Sequence, residues 1–295
     1  MDNPHDLTLS DGTRIVYRVE GSGPALVLTN GLTTSTSFWK YVRPIWSKRY
    51  TVVTWDLPGH GESGPALAAE SARIEAQPQI IARVMAACGI ERAFQVGWST
   101  GSQIVLETYR QLPELCQGLV MVLGSAGHVL QTTRLPLSGD LIYRLVRATP
   151  PRAYAAFVRA FAFGASLPPA LPLGRRLGLI GPRATPDDMR EVTDHIGRID
   201  ARTLQLMALS SEEHSAHAVL ASLLSPLLIV AGDKDPFAPT ELVGLPLSRA
   251  ALGSELVRLP GGTHTALLEE PELIARAVER FVERVLTEQS GARAR

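Results

Sequence analysis

The sequence is poor in cysteine and has no excess of charge of either sign. Its 295 residues include two cysteines, Cys88 and Cys116, and no cluster of histidine and cysteine has the spacing of a zinc site. We therefore expect two reduced thiols and no bound metal. Lysine plus arginine and aspartate plus glutamate number 29 each, so the formal net charge is zero. This balance argues against nucleic-acid binding, which needs a basic excess on one face.

Long hydrophobic runs are also missing. The longest runs, such as residues 118–124 and 226–232, have the length of a strand, whereas a membrane span needs about 20 apolar residues. Residues 1–10 are polar and lack the apolar segment of a secretory signal. We therefore expect a cytoplasmic protein with no membrane span.

Short apolar runs alternate with helical stretches in the first and last parts of the chain. This alternation predicts βαβ units and a mostly parallel sheet with helices on both faces, which is an α/β fold. The predicted strands are 13–19, 25–29, 50–55, 93–98, 118–123, 226–231 and 255–259, and the main predicted helices are 37–47, 71–88, 101–111 and 271–287.

The middle of the chain breaks this alternation. Residues 127–217 contain helical pieces separated by the proline-containing breakers at 149–151, 167–169 and 181–182, and no clear strand. We expect a helical cap inserted into a core formed by residues 1–126 and 218–295. The end of the chain, residues 290–295, is expected to be disordered.

The most informative segment is Gly97-Trp98-Ser99-Thr100-Gly101, which joins the predicted strand 93–98 to the predicted helix 101–111. A nucleophile elbow needs this strand–turn–helix context, because its tight turn requires small residues two positions either side of the serine. The serine then projects above the sheet, and the helix N-terminus behind it favours developing negative charge. Ser99 is therefore the candidate nucleophile.

A serine nucleophile needs a base, and an elbow serine is followed along the chain by an acid and then a histidine. His264 lies after the last predicted strand and is the candidate base. The acid should follow the preceding strand, where Asp233 and Asp235 compete. Asp235 fits the spacing Gly-x-x-Asp-x-x-x-Pro, so we assign the acid to Asp235 and interpret Asp233 as a turn former.

Acyl transfer also needs two backbone N–H donors for the oxyanion of the tetrahedral intermediate. One donor is expected at Thr100, directly after the nucleophile. The other is expected in the loop after the strand 25–29, which reads Asn30-Gly31-Leu32, and Leu32 is the candidate.

Taken together, these segments resemble the α/β-hydrolase superfamily in its order and approximate spacing. The resemblance covers about residues 10–125 and 220–287 and implies the α/β-hydrolase fold, with a sheet of the eight-stranded type. It also implies that the loop after the strand 50–55 is structural, so that His60 is not catalytic. The segments that carry the resemblance are 30–32, 56–64, 97–101, 232–235 and 262–264.

The resemblance also assigns two residues to the substrate pocket. The family usually has His-Gly in the oxyanion loop. This chain has Asn30 in place of the histidine, and in this respect its loop is similar to the Asn-Ser loop of enol-lactone hydrolases. Trp98, the residue before the nucleophile, is similar to the residue at this position in the pimeloyl-carrier methyl esterases. Relatives that open epoxides or displace halide use aspartate as the nucleophile, so Ser99 argues against both activities.

Arginine is concentrated in the predicted cap. Residues 134–183 contain eight arginines against one acid, Asp140, a net charge of +7. A solvated helical face is one interpretation. The sharper hypothesis is a basic lid that attracts an anionic substrate or an acyl carrier. Within the apolar run 155–173, Phe157 and Phe161 are candidates for lining an acyl pocket, or they pack the cap on the core.

We predict a serine hydrolase that cleaves a carboxylic ester of a small or medium acyl substrate through an acyl-enzyme, with no metal or organic cofactor. The same residues suit an enol-lactonase, a thioesterase acting on carrier-bound acyl groups and a cofactor-free perhydrolase. A ligand-binding protein without catalysis is the alternative outside enzymes, and the filled nucleophile, acid and base positions argue against it. Nothing in the sequence predicts an oligomeric state.

Overall fold

One sheet of eight strands organises the chain in the computed structural model, which describes residues 3–134 and 137–293. The strands are β1 (His5–Thr8), β2 (Arg14–Glu20), β3 (Ala25–Thr29), β4 (Thr51–Trp55), β5 (Ala93–Trp98), β6 (Cys116–Val122), β7 (Leu227–Gly232) and β8 (Glu255–Leu259). Their order across the sheet is β1-β2-β4-β3-β5-β6-β7-β8. The pairs that involve β1 or β2 are antiparallel and the others are parallel. The predicted fold class is therefore confirmed.

Helices cover both faces of the sheet. Within the described residues they are α1 (Arg43–Trp46), α2 (Gln77–Ala87), α3 (Thr100–Gln111), α4 (Val129–Thr132), α5 (Gly139–Ala148), α6 (Pro151–Ser166), α7 (Ala170–Arg176), α8 (Pro186–Arg198), α9 (Ala201–Glu213), α10 (His217–Leu220), α11 (Leu245–Ala250), α12 (Ala266–Glu269) and α13 (Pro271–Arg293).

The central strands are mostly apolar because both of their faces are covered, with Thr29 and Gln95 as buried polar exceptions. Every residue of β3, β5 and β7 is buried. Side chains alternate between the faces of a strand. Along β3, Leu26 and Leu28 therefore join an apolar cluster with α13, whereas Val27 joins a separate cluster with α2.

The carboxyl ends of the parallel strands meet at one edge of the sheet, which is where α/β proteins bind ligands. At this edge β3 leads into Asn30 and β5 leads into Ser99. The loop after β7 carries Asp235 and the loop after β8 carries His264. Four separate segments of the sequence thus converge on one place.

Helices α4 to α10 lie between β6 and β7, and Gly127 and Ser215 form an isolated antiparallel bridge near the two ends of this insertion. The bridge brings the start and the end of the insertion together, which supports our proposed cap boundaries of 127–217. Inside the cap, buried Tyr154, Val158 and Ala162 of α6 form an apolar cluster with residues of α8 and α9.

Among the described residues, no single helix is both long and apolar enough to cross a membrane. Helices α6 and α7 reach that length and hydropathy only as a pair, and they are bent by 93° relative to each other.

The predicted helix at 37–47 was wrong as one element. A 3-10 turn at Thr36–Trp39 and the short helix α1 replace it. Pro44 lies in the first turn of α1, where its missing N–H is tolerated, so the proline starts a new helix instead of continuing the old one.

The two ends of the chain also differ from expectation. Strand β1 was not predicted, because its residues are polar and mostly exposed and it is held by pairing with β2 at the edge of the sheet. At the other end, α13 continues to Arg293, so the disorder expected from residue 290 is wrong as far as 293. Residues 294 and 295 lie outside the described part of the chain.

Candidate active site

Ser99 occupies a strained turn between β5 and α3. Its φ of 55° and ψ of −122° lie in a region that non-glycine residues rarely adopt. Two glycines make the turn possible, since a Cβ on Gly97 would lie 2.2 Å from the carbonyl oxygen of Gly101. A Cβ on Gly101 would lie 2.3 Å from the carbonyl oxygen of Thr29. The tight strand–turn–helix packing expected of a nucleophile elbow is therefore present here.

His264 links Ser99 to Asp235. Its Nε2 lies 3.0 Å from Ser99 Oγ, and its Nδ1 lies 2.9 Å from Asp235 Oδ2. The Asp235 carboxylate is buried, and its other oxygen accepts hydrogen bonds from the backbone N–H groups of Phe237 and Ala238, at 2.8 and 3.1 Å. A carboxylate fixed in this way keeps the proton on Nδ1 and leaves Nε2 free to accept a proton from Ser99.

Asp233, the competing acid, points elsewhere. Its Oδ1 accepts a hydrogen bond from Arg258 at 3.1 Å in an exposed ion pair that Glu241 shares. The structure therefore brings Asp235, and not Asp233, to the histidine.

Two aromatic rings hold the imidazole of His264. The ring centroid of Trp98 lies 4.9 Å from that of His264, and the centroid of Phe237 lies 4.7 Å away. Trp98 is buried and also packs on Phe38 at 4.2 Å. Its indole Nε1 has no hydrogen-bond partner in the described part of the chain. Trp98 thus supports the histidine and is absent from the lining of the cavity at Ser99, which corrects its assignment to the substrate pocket.

The two candidate oxyanion donors come from the loop after β3 and from the start of α3. Neither the N–H of Leu32 nor that of Thr100, the first residue of α3, has an acceptor among the described residues. Gly31 holds the first loop close to the nucleophile, because a Cβ at this position would lie 2.7 Å from the Trp98 ring and 2.8 Å from Ser99 Cβ. Both donors are therefore available to a developing oxyanion.

A narrow cavity lies beside Ser99. It brings Ser99, Thr100 and His264 together with apolar side chains from the loop after β6, from α4 and from the acid loop. Sequence reasoning missed most of this lining, although Phe237 could have been found from its place two residues after the assigned acid. The lining residues are Ser99, Thr100, Gln103, Leu123, Gly124, Ser125, Val129, Phe237, Ala238 and His264.

Comparison with known proteins agrees with the observed fold. A family model described as the alpha/beta hydrolase fold matches residues 24–271. The chain belongs to the α/β-hydrolase family. The resemblance stated from the sequence is therefore confirmed.

The similarity of this α/β-hydrolase to two of its relatives extends over almost the whole chain. An uncharacterised protein of Mycobacterium bovis is 28% identical over 288 residues, which cover 92% of this chain and 79% of that protein. A pimeloyl-acyl-carrier-protein methyl ester esterase of Methylococcus capsulatus is 27% identical over 272 residues, which cover 91% of this chain and 98% of the esterase.

Solved structures show the same fold at lower identity. A hydrolase from Pseudomonas aeruginosa has a TM-score of 0.76 at 23% identity, covering 95% of this chain and 98% of its own. An enol-lactonase from Burkholderia xenovorans has a TM-score of 0.74 at 20% identity, covering 95% and 100%.

Asn30 has a structural place in this α/β-hydrolase. Its side chain is buried, its Nδ2 donates to the carbonyl oxygen of Trp55 at 3.0 Å, and its Oδ1 accepts from Trp39 Nε1 at 2.6 Å. The amide is therefore committed to holding β3, β4 and the following turn together. Our assignment of Asn30 to the substrate pocket is corrected accordingly.

Phe157 and Phe161 are also away from the cavity. Their side chains are 63% and 54% exposed on α6, and α6 contributes no residue to the cavity at Ser99. The inner face of α6 is formed instead by Tyr154, Val158 and Ala162. The two phenylalanines were assigned to an acyl pocket from local composition, which does not distinguish the inner from the outer face of the helix.

Glu269, which sequence reasoning missed, joins the histidine loop to the cap. Its Oε1 accepts hydrogen bonds from the hydroxyls of Thr263 and Thr265, at 2.9 and 2.6 Å, on either side of His264. The carboxylate also accepts the backbone N–H groups of Gly181 and Arg183 of the cap, both at 3.2 Å. One side chain thus fixes both neighbours of the candidate base.

His60 is buried away from Ser99. Its Nδ1 lies 2.9 Å from the carbonyl oxygen of Pro58, and its ring lies 6.0 Å from that of His195 in α8. Burial lowers the pKa of both histidines to about 4, so both are neutral at pH 7. This agrees with a structural part for the His60 loop.

The cysteines are free, and burial raises the pKa of Cys88 to about 11 and that of Cys116 to about 12. Such thiols are poor nucleophiles at neutral pH. Within residues 3–134 and 137–293, no group of three or more His, Cys, Asp or Glu side chains could hold a metal ion.

Proposed function

We propose that this chain is a cytoplasmic serine hydrolase that cleaves carboxylic esters of small or medium acyl groups through an acyl-enzyme. Ser99 is the nucleophile, His264 the general base and Asp235 the group that orients the base. The N–H groups of Leu32 and Thr100 form the oxyanion hole. The single observation that carries the proposal is the imidazole that bridges Ser99 Oγ and the buried Asp235 carboxylate at 3.0 and 2.9 Å.

Acylation follows from this arrangement. Ser99 Oγ attacks the ester carbonyl carbon while its proton passes to His264 Nε2. The carbonyl oxygen becomes an oxyanion that accepts the N–H groups of Leu32 and Thr100. When the carbon–oxygen bond to the alcohol breaks, His264 returns the proton to the leaving alkoxide, and the acyl group remains on Ser99.

Deacylation repeats the same steps with water. His264 takes a proton from water, the hydroxide attacks the acyl carbon, and the bond to Ser99 Oγ breaks as Oγ recovers the proton from the imidazole. Asp235 remains ionised throughout and stabilises the imidazolium that forms in each half-reaction. No bound group beyond these side chains enters the scheme.

The lining of the cavity at Ser99 supports an acyl substrate. Leu123, Val129 and Phe237 form an apolar wall beside the nucleophile, which suits the acyl chain of an ester. The relative from Methylococcus capsulatus is named as a methyl ester esterase, which supports ester cleavage among the reactions open to these residues. Lactones, carrier-bound thioesters and perhydrolysis remain the alternatives within the same chemistry.

The test is hydrolysis of p-nitrophenyl acetate. We expect Ser99→Ala to lower kcat by at least about 10⁴-fold, because the attacking oxygen is gone, while circular dichroism and Tm stay near wild type. Ser102→Ala removes the next serine along α3, whose hydroxyl donates to the carbonyl oxygen of Gly97, and is the matched control. It should retain hydrolysis. Persistent hydrolysis by the folded Ser99→Ala protein would contradict the proposal.

A panel of substrates separates the alternatives. We expect kcat/KM to be highest for short-chain esters, and lower for lactones, acyl thioesters and carboxylic acids supplied with peroxide. A protein that binds ligands without catalysis would hydrolyse none of them. A tenfold or greater preference for a lactone or a thioester would replace the ester in the proposal while keeping the catalytic residues.

A further inference from the structure

The outer surface of the cap is unusually apolar. On α6, Phe157, Phe161 and Phe163 are 63%, 54% and 68% exposed, and Leu173 and Leu177 continue the surface in and after α7 with more than half of each side chain exposed. We call these five residues the apolar cap face. Because α6 and α7 meet at 93°, the five residues extend along two directions instead of one narrow stripe.

The packing of α6 leaves this face without a partner in the described part of the chain. Tyr154, Val158 and Ala162 form the inner stripe of the helix and pack on α8 and α9. Phe157 and Phe161 lie on one flank of this stripe, and Phe163 lies on the other side of the helix. Leu32, the candidate oxyanion donor, also packs on that inner cluster. The exposed residues of α6 are mostly alanine, glycine and phenylalanine. The exceptions are Pro151, Arg152, Arg159 and Ser166. Solvent-exposed phenylalanines in such number usually mark an interaction surface.

The charge around the apolar cap face is positive and largely uncompensated. Of the eight arginines in residues 134–183, only Arg183 forms an ion pair with a carboxylate that the structure describes. Three of the four acidic residues of the neighbouring α8 have other partners, because Asp188 and Glu191 pair with Lys40 and Asp187 pairs with Arg190. Asp194, the fourth, is exposed and is outnumbered by the remaining arginines. A partner for this surface must be apolar and negatively charged.

We propose that the apolar cap face docks onto an anionic lipid surface. Phenylalanine and leucine on a helix flanked by arginine are the composition of helices that lie in the membrane interface, where rings enter the acyl region and guanidinium groups meet phosphates. The cytoplasmic leaflet supplies the negative charge. This proposal concerns binding and does not depend on the hydrolase reaction.

Two other occupants fit the observations less well. In a symmetric dimer, the same patch of each copy would meet its equivalent, which would bring Arg152 and Arg159 of both copies together. An acidic protein would need an apolar centre shaped to two helices that meet at 93°, whereas a lipid surface needs no matching shape. Both are outcomes that the experiment distinguishes.

The first test is binding of the whole protein to vesicles. We expect sedimentation with vesicles that contain phosphatidylglycerol, little sedimentation with pure phosphatidylcholine, and release at high ionic strength. The variant Phe157→Ser/Phe161→Ser/Phe163→Ser should lower the partition coefficient about tenfold or more. Leu224→Ser/Leu252→Ser is the matched control, because these leucines are 92% and 89% exposed outside the cap. It should bind like wild type.

The second test addresses charge. Arg152→Gln/Arg159→Gln should weaken binding to phosphatidylglycerol vesicles about tenfold. Arg276→Gln/Arg280→Gln changes the net charge equally at exposed positions of α13 and should have little effect. Circular dichroism and Tm check that every variant folds.

Three results would overturn the proposal. The first is absence of binding to anionic vesicles. The second is equal loss of binding in the cap variants and in their controls. The third is a dimer of the wild-type protein, seen by light scattering, that the triple phenylalanine variant converts to a monomer without any change in vesicle binding.

Discussion

At Ser99 the backbone adopts a conformation that costs a non-glycine residue about 1–3 kcal/mol, and the surrounding packing maintains it. The φ of 55° is compatible with this packing only because Gly97, Gly101 and Gly124 have no side chain. A Cβ on Gly124, for example, would lie 2.3 Å from the Ser99 carbonyl oxygen. The strain directs the hydroxyl away from the sheet and toward His264. These contacts explain why the pattern of small residues was informative in the sequence.

The assignment of Asp235 instead of Asp233 as the acid predicts different effects of substitution on kcat. Asp235→Asn should lower kcat about 10³–10⁴-fold, because an amide at this position no longer holds Nδ1 protonated and no longer stabilises the imidazolium. Asp233→Asn should change kcat by less than about twofold, since it alters only an exposed ion pair with Arg258. Steady-state hydrolysis of p-nitrophenyl acetate measures both. A larger loss in Asp233→Asn would reverse the assignment.

The residues that could be predicted were those fixed by order and local turn chemistry. Ser99, Asp235 and His264 each follow a short predicted strand, and the structure brings their side chains together. Asn30 could not be assigned in this way. Its hydrogen-bond partners are Trp39 in the next turn and Trp55 on a neighbouring strand, and only the folded sheet places them around it.

Among the elements, the short helix α12 has the most direct influence on the candidate base. It carries Glu269, whose carboxylate accepts hydrogen bonds from the threonines on either side of His264 and from the cap. Its neighbour Glu270 forms only a surface ion pair with Arg183. The two adjacent glutamates therefore provide a matched comparison.

Glu269→Ala should lower kcat about tenfold or more, because a base displaced by a fraction of an ångström loses its alignment with Ser99. It should also lower Tm by several degrees, because buried donors lose their acceptor. Glu270→Ala should leave kcat within about twofold and Tm within about 2 °C, as expected for a partly exposed ion pair. Equal values of kcat in the two variants would show that Glu269 does not position His264.

Elements defined by local apolar runs were predicted, and those defined by distant pairing were not. β3, β5 and β7 are buried at every residue, so their sequences are short and mostly apolar, with Gln95 and the terminal Thr29 as exceptions. β1 is polar and exposed and exists because β2 offers a free edge. The inner and outer faces of α6 likewise depend on where α8 and α9 lie, which local composition does not reveal.

In the molecule as a whole, two buried histidines lie close together where α8 meets the core. His60 of the core and His195 of α8 are both neutral at pH 7, because burial lowers the pKa of each to about 4. The unfolded chain, with pKa values near 6.5, takes up these protons first as the pH falls. The stability that the neutral rings provide is therefore complete above about pH 6.5 and is lost progressively toward pH 4.

Asp56 acts in the opposite direction, since burial raises its pKa to about 6 and protonation relieves a buried charge. The stability lost through the two histidines between pH 7 and pH 5 is larger than the stability gained through Asp56. We therefore expect the free energy of unfolding in urea to be lower at pH 5 than at pH 7. In His195→Asn the difference between the two pH values should shrink by about 1–2 kcal/mol. His5→Asn removes an exposed histidine of β1 and should leave the difference unchanged. An unchanged difference in His195→Asn would contradict the effect of burial.

The helical insertion between β6 and β7 was predicted from the interruption of the strand–helix alternation, and its place as a cap stays a prediction. Its contacts were not predicted, because they join segments far apart in the chain. The hydroxyl of Ser210 in α9, for example, accepts a hydrogen bond from the N–H of Ile74, and that of Thr203 accepts one from the N–H of Ala66. These two contacts join α9 to the segment 66–74, which precedes α2.

Covalent labelling with a fluorophosphonate shows directly whether His264 activates Ser99, because the probe reacts only with a serine that a neighbouring base activates. We expect stoichiometric labelling of the wild-type protein, with the added mass located by peptide mass spectrometry on Ser99. His264→Gln should label at least about a hundredfold more slowly, and Ser102→Ala should label at the wild-type rate. An unlabelled folded protein, or a label on any other residue, would contradict the account.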